Sequence, residues 1–212
     1  MEQTEMGMVP RCSLKEKQRQ EREALILQMA EEVLMEKGYY EASIDEIASR
    51  VGIAKGTVYL HFPSKEDLVV AILRRDIQQL LAKVDEVAGM DISSRDKVVA
   101  ILRCMYGNIF VKRMQLLYSL YNSGEAKRHW KEHGETLGGL WEQLATRMSN
   151  LLEQGKVAGE FSASIPTPIM LCAFFSLLSP KSYERLMVEG KVTGDELVTY
   201  LEHIYFKGIT NS

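Results

Sequence analysis

Long hydrophobic runs are missing from this chain. The longest, residues 169–178, has ten residues with Cys172 and Ser176 inside it, too short to cross a bilayer, so no membrane association is expected. Residues 1–10 hold two acidic side chains and no apolar segment, and no secretory signal is expected. Cysteine is scarce: Cys12, Cys104 and Cys172 are odd in number and far apart. That suits a reduced, cytoplasmic chain better than a disulfide framework. Sustained alternation of period two appears nowhere, nor does an internal repeat or a low-complexity tract. Neither charge sign prevails, with 26 Lys and Arg against 29 Asp and Glu. Ser, His and Asp residues never fall into a nucleophile-elbow or metalloprotease context, so no enzyme is expected and no cofactor is assigned. His129 and His133 stand at i, i+4 with Glu125 and Glu132 near. Two potential ligands on a polar helix are read as a solvated face, and no metal is assigned.

What the chain has in quantity is helical periodicity. After an expected flexible arm, residues 1–19, a helix over 20–36 carries Ile26, Ala30, Val33 and Leu34, with Gly38 as its stop. Further on, the spacing predicts a long helix over 64–88, with Leu68, Ile72, Leu73, Ile77, Leu80, Leu81, Val84 and Val87 as its stripe. A helix over 93–121 follows, then a break at 122–124 and a short polar helix over 125–133. Leu137, Leu140, Trp141, Leu144, Met148, Leu151 and Leu152 mark another, stopped by Gly155. Residues 156–166 read as a loop, 169–188 as an apolar helix interrupted at Pro180, and 195–209 as the last helix, capped by Thr193 and Glu196. The expected fold is all-α, in three parts: the arm 1–19, a three-helix head 20–66, and a helical body 67–212.

Within the head, residues 43–62 carry the most information. Ile44, Ile47, Ala48 and Val51 recur at i, i+3, i+4 and i+7, so one face of a short helix is buried. Ser43 stands where an N-cap belongs and Glu46 follows three residues on, the spacing of a reciprocal capping box. Gly52 can take the left-handed conformation that ends a helix, and Ile53 can plug the angle to the next one. The second helix is unlike the first. Lys55, Gly56, Thr57, Tyr59 and His61 are polar or small, and only Val58 and Phe62 are anchors. A helix held by few apolar contacts and offering donors outward suits a DNA major groove. This is a helix-turn-helix pattern.

The string Val51-Gly52-Ile53-Ala54-Lys55-Gly56-Thr57-Val58-Tyr59-Leu60-His61-Phe62-Pro63-Ser64-Lys65-Glu66-Asp67-Leu68 resembles the DNA-binding signature of the TetR family of bacterial transcriptional regulators. Gly38-Tyr39-Tyr40-Glu41-Ala42-Ser43-Ile44 also fits that pattern, and the likeness covers about a quarter of the chain, residues 22–75. It implies a transcriptional regulator, expected as a repressor, that binds a palindromic operator in double-stranded DNA as a homodimer and is released by a small-molecule effector. It implies DNA contacts from Lys55, Gly56, Thr57, Tyr59 and His61, with Ser43 and Lys65 touching the phosphate backbone from helix starts. A competing reading makes Tyr59 and His61 packing residues. An activator of the same fold, or a helical carrier or enzyme with a vestigial head, stays open.

Charge gives that reading no help, because residues 1–67 hold nine Lys and Arg against thirteen Asp and Glu. The one basic stretch, residues 11–22, reads either as a solvated start or as an arm reaching phosphates or a minor groove. In the body, Met105, Tyr106, Phe110, Met114, Tyr118, Trp141, Met148, Met170 and Phe174 suit either plain core or a pocket for a largely apolar effector. The run 169–178 is apolar nearly all round, which predicts burial on more than one side. Phe175, Leu178, Leu197, Leu201, Ile204 and Tyr205 are therefore the expected dimer surface.

Overall fold

The computed structural model describes residues 13–106, 126–177 and 191–210. These form eight helices and no strand, the all-α class that the periodicity predicts. The chain divides into two compact units, Met1–Leu68 and Val69–Ser212.

In the first unit, helix α1 (Leu14–Glu41) begins earlier than expected. Ser13 caps it by accepting the Glu16 N–H at 3.2 Å, so residues 14–19, assigned from sequence to a flexible arm, are helical. Gly38 breaks its backbone at φ 78°, ψ 173°, a conformation suited to glycine. Ile26, Ala30, Val33 and Leu34 are buried, and α1 packs on helix α2 (Ile44–Val51), whose Ile44, Ile47 and Ala48 enter the same core. Helix α3 (Lys55–His61) packs on α2 through Val58, with Phe62 just beyond its end.

Helix α4 (Lys65–Ala88) spans the boundary between the units along the chain. The Ser64 hydroxyl accepts the Asp67 N–H at 3.1 Å and donates to the Asp67 carboxylate at 2.7 Å. All eight expected apolar positions, Leu68 to Val87, are buried.

In the second unit, helix α5 (Ser94–Tyr106) buries Val98, Ile101, Leu102 and Met105, and its expected run to residue 121 lies outside the described residues. Helix α6 (Ala126–Val157) is continuous where two helices are expected. Gly134, Gly138 and Gly139 each cost about 1 kcal/mol relative to Ala, too little to break a helix whose far half buries Leu144, Met148, Leu151 and Leu152. Gly155 is not a stop either. Helix α6 runs past it, and the chain turns at Gly159, φ 74°. Gly155 instead makes room for Phe161, whose ring would lie 2.2 Å from a β-carbon there. Phe161, in a stretch read as loop, is fully buried and stacks on Phe206 at 5.9 Å. Glu160 accepts the N–H groups of Ser94 and Arg95 at 3.0 and 2.9 Å and so caps α5. Helix α7 (Thr167–Leu177) packs on α6, and helix α8 (Gly194–Ile209) packs on α5 and α7. The expected continuation of α7 to residue 188 lies outside the described residues.

Candidate nucleic-acid interface

The turn between α2 and α3 is built from backbone. Gly52 sits in the left-handed region at φ 76°, ψ 32°, and its N–H bonds the carbonyls of Ala48 and Ser49. Ile53 N–H closes a wider ring onto Ala48 at 3.0 Å. Ser43 caps α2 as expected, accepting the Glu46 N–H at 3.2 Å. The reciprocal half of that box is not made. The Glu46 carboxylate turns to Lys37 at 2.7 Å and Arg50 at 2.9 Å, because two cations outbid one amide. The Lys37 hydrogen bond, then that of Arg50, holds the Glu46 carboxyl below its ordinary range against partial desolvation. Arg50 also reaches Glu36 of α1 at 2.9 and 2.5 Å, tying α1 to α2.

Helix α3 buries Val58 and leaves the opposite face open. Lys55, Gly56, Tyr59 and Leu60 are exposed there, at i, i+1, i+4 and i+5, and Thr57 is half-buried beside them. Nothing lies within 4 Å of a β-carbon built on Gly56, so a ligand surface can approach the backbone closely. Lys55 is paired with Asp45 at 2.6 Å, a contact that raises its pKa. Tyr59 is 42% exposed and Leu60 83%. Leu60 was missed from sequence, although its place one turn after Gly56 was a readable signal.

Two expected contacts turn inward. The His61 side chain is 8% exposed, its Nδ1 3.1 Å from Glu23 Oε1 of α1, so the packing alternative describes it better than outward contact. Lys65 donates to the carbonyls of Tyr39 and Ala42 at 2.7 and 3.1 Å and lies 4.3 Å over the Tyr39 ring. The Tyr39 hydroxyl donates to Glu66. Lys65 thus fastens the start of α4 to the turn after α1, with little freedom left for a phosphate.

The other expected sites are less coherent. Met105, Met148, Met170 and Phe174 are fully buried core, and Trp141 is half-buried with its ring edge-on to Phe175 at 6.2 Å. The side chains of Tyr106, Phe110, Met114, Tyr118, His129 and His133 lie outside the described residues, as does Leu178. Leu197, Leu201 and Tyr205 do not form an outer surface: one face of α8 buries them within the chain, and the Tyr205 hydroxyl donates to the Met170 carbonyl at 3.0 Å. Ile204 stands on the other face, 60% exposed, and Tyr200 of α8 and Ile169 of α7 are exposed as well, at 57% and 60%. Phe175 is half-buried. A shallow apolar cleft of about 240 Å³ runs between α7 and α8, lined by Ile169, Ala173, Leu177, Ile204 and Ile209 among others.

Residues 26–72 match the family described as bacterial regulatory proteins, tetR family. Over 88 residues, 42% of this chain, the sequence is 34% identical to the HTH-type transcriptional activator FasR of Mycolicibacterium smegmatis. It is 28% identical over 86 residues to the fatty acid metabolism regulator protein of Bacillus subtilis. These matches span 40% and 44% of those relatives' own lengths. The crystal structure of the transcriptional regulator FadR from Bacillus subtilis, in complex with stearoyl-CoA, has the same fold, with a TM-score of 0.67 at 18% identity over 87% of this chain and 95% of that one.

Proposed function

Because its head belongs to the TetR family of bacterial regulatory proteins, we propose that this chain is a DNA-binding transcriptional regulator that inserts α3 into the major groove. The observation that carries the reading is the split character of α3. Val58 holds it to the core while Lys55, Gly56, Tyr59 and Leu60 face outward behind a glycine-locked turn. Lys55, Thr57 and Tyr59 supply donors for phosphates and base edges, Gly56 permits close approach, and Leu60 offers an apolar surface to thymine methyl groups. Ser43, at the start of α2, is assigned to the phosphate backbone.

The regulator acts as a homodimer on a palindromic operator, its two heads about 34–36 Å apart so that both read one side of the duplex. The exposed apolar positions of α7 and α8 supply the contact between copies: Ile169, Ala173 and Ile204 around the cleft, Tyr200 further along α8, and Phe175 at the margin. The body takes a largely apolar small molecule that releases the heads. Long acyl thioesters are the class to test first, since the FadR neighbour was solved with stearoyl-CoA. The reading gives the chain no catalytic role and places its work in the cytoplasm; among the described residues no helix is long and apolar enough to cross a membrane. Repression is the expected output, and activation is the second reading because the FasR relative is an activator.

Selection of tight binders from a random duplex pool tests this. Enrichment of one palindrome, with binding that weakens as salt rises, is expected. A pool that stays unenriched at low salt overturns the reading.

A further inference from the structure

Helix α1 is longer than its core. Its buried stripe, Ile26, Ala30 and Val33, continues toward the N-terminus at the same spacing as Arg22, Arg19 and Lys15, so the face that packs further along becomes cationic in the first turns. These three residues are exposed. With Leu60 and His61 of α3 they line one groove of about 650 Å³, and Glu16 is the single carboxylate on its wall. Elsewhere in the head the cations are committed: Lys37 to Glu46, Arg50 to Glu36 and Glu46, Lys55 to Asp45, Lys65 to two carbonyls. Lys15 and Arg22 make no ion pair among the described residues, and Arg19 bonds Glu23 at 3.1 Å, the oxygen that also meets His61.

We propose that the overhanging first turns of α1 are a second DNA-contacting surface, which grips phosphates beside the groove that α3 enters. The proposal rests on the reading of α3 given above and extends it. Unpaired cations on the wall shared with the open face of α3 are complementary to a phosphate run, and the surface is continuous with that face. Phosphate contacts position a protein without reading sequence, so these residues set affinity and register while the outward face of α3 sets preference.

The test uses the full chain carrying Lys15→Ala and Arg22→Ala together, which leaves the Arg19–Glu23–His61 contact intact. Binding to the selected palindrome and to a mixed-sequence duplex of about two helical turns is titrated against salt. Two lost phosphate contacts should flatten the slope of log K on log salt by about 1.8, with loss on both duplexes by the same factor. Arg22→Lys should keep the wild-type slope. A double variant with the wild-type slope and affinities overturns the proposal alone, and so does a loss confined to the palindrome. A wild-type chain that binds neither duplex overturns the reading of α3 and the proposal with it.

Discussion

At the scale of single residues, two glycines four positions apart, Gly52 and Gly56, invite opposite outcomes. Gly52 has a left-handed backbone, φ 76°, that a β-branched side chain tolerates badly. Gly52→Val should cost roughly 1–3 kcal/mol in the head, read as a lower unfolding midpoint. Gly56 lies inside α3 with open space around it, so Gly56→Ala should raise that midpoint, an Ala being favoured by about 1 kcal/mol. The same methyl should weaken DNA binding, and a Gly56→Ala chain that is less stable and binds as before contradicts the placement of the open face. Tyr59→Ala and Leu60→Ala should each lower affinity by about 1–3 kcal/mol with little loss of stability, because Leu60 is 83% exposed, Tyr59 42%, and neither belongs to the buried face of α3. Leu60→Ala should in addition relax the preference at one base position, seen by repeating the selection.

At the scale of elements, the joint between α1 and α2 is electrostatic on its outer side. Hydrogen bonds from Arg50 to Glu36, and from Lys37 and Arg50 to Glu46, lower both carboxyl pKa values below 4.5. Groups depressed in this way stabilise the folded head above their unfolded pKa, and the contribution is lost as pH falls through the folded value. Acid titration should therefore loosen the head below about pH 4.5. Circular dichroism of Glu46→Gln should show a shallower acid transition than wild type, and equal transitions count against the joint. Gly155→Ala makes a steric prediction instead. The added methyl meets the Phe161 ring, and overpacking should cost about 1–3 kcal/mol in calorimetry, where an ordinary helical glycine would gain from the change. Gly155 also marks where sequence reasoning ran out. Periodicity exposes stripes, so α2, α3 and α4 were legible within a residue or two. It cannot distinguish a glycine that ends a helix from one that admits a ring arriving from six residues on. Leu197, Leu201 and Tyr205 failed for a related reason: an apolar stripe says that something covers it, and here the cover is α5 and α7 of the same chain. His61 and Lys65 were legible as polar residues next to a motif, but their partners, Glu23 and the carbonyls of Tyr39 and Ala42, are more than twenty residues away.

At the scale of the whole molecule, the proposed pairing of two copies rests on the outer faces of α7 and α8. Ile169→Glu with Ile204→Glu places charges on exposed positions that contribute nothing to the chain's own core. Sedimentation should then shift from dimer to monomer with the unfolding midpoint of the head unchanged, and affinity for a palindrome should collapse. A double variant that sediments like wild type assigns the contact elsewhere. The neutralised cations of the head bear on a different property, the time spent on wrong DNA. With Lys37, Arg50 and Lys55 each facing a carboxylate, few charges are free to hold a phosphate chain whose sequence does not fit α3. In the proposed regulator such a head would leave unrelated sequence quickly and would scan DNA by frequent detachment and re-landing, with short slides between. Asp45→Asn, which frees Lys55, should lengthen single-molecule dwell times on arbitrary DNA and slow the arrival at the one site that matters.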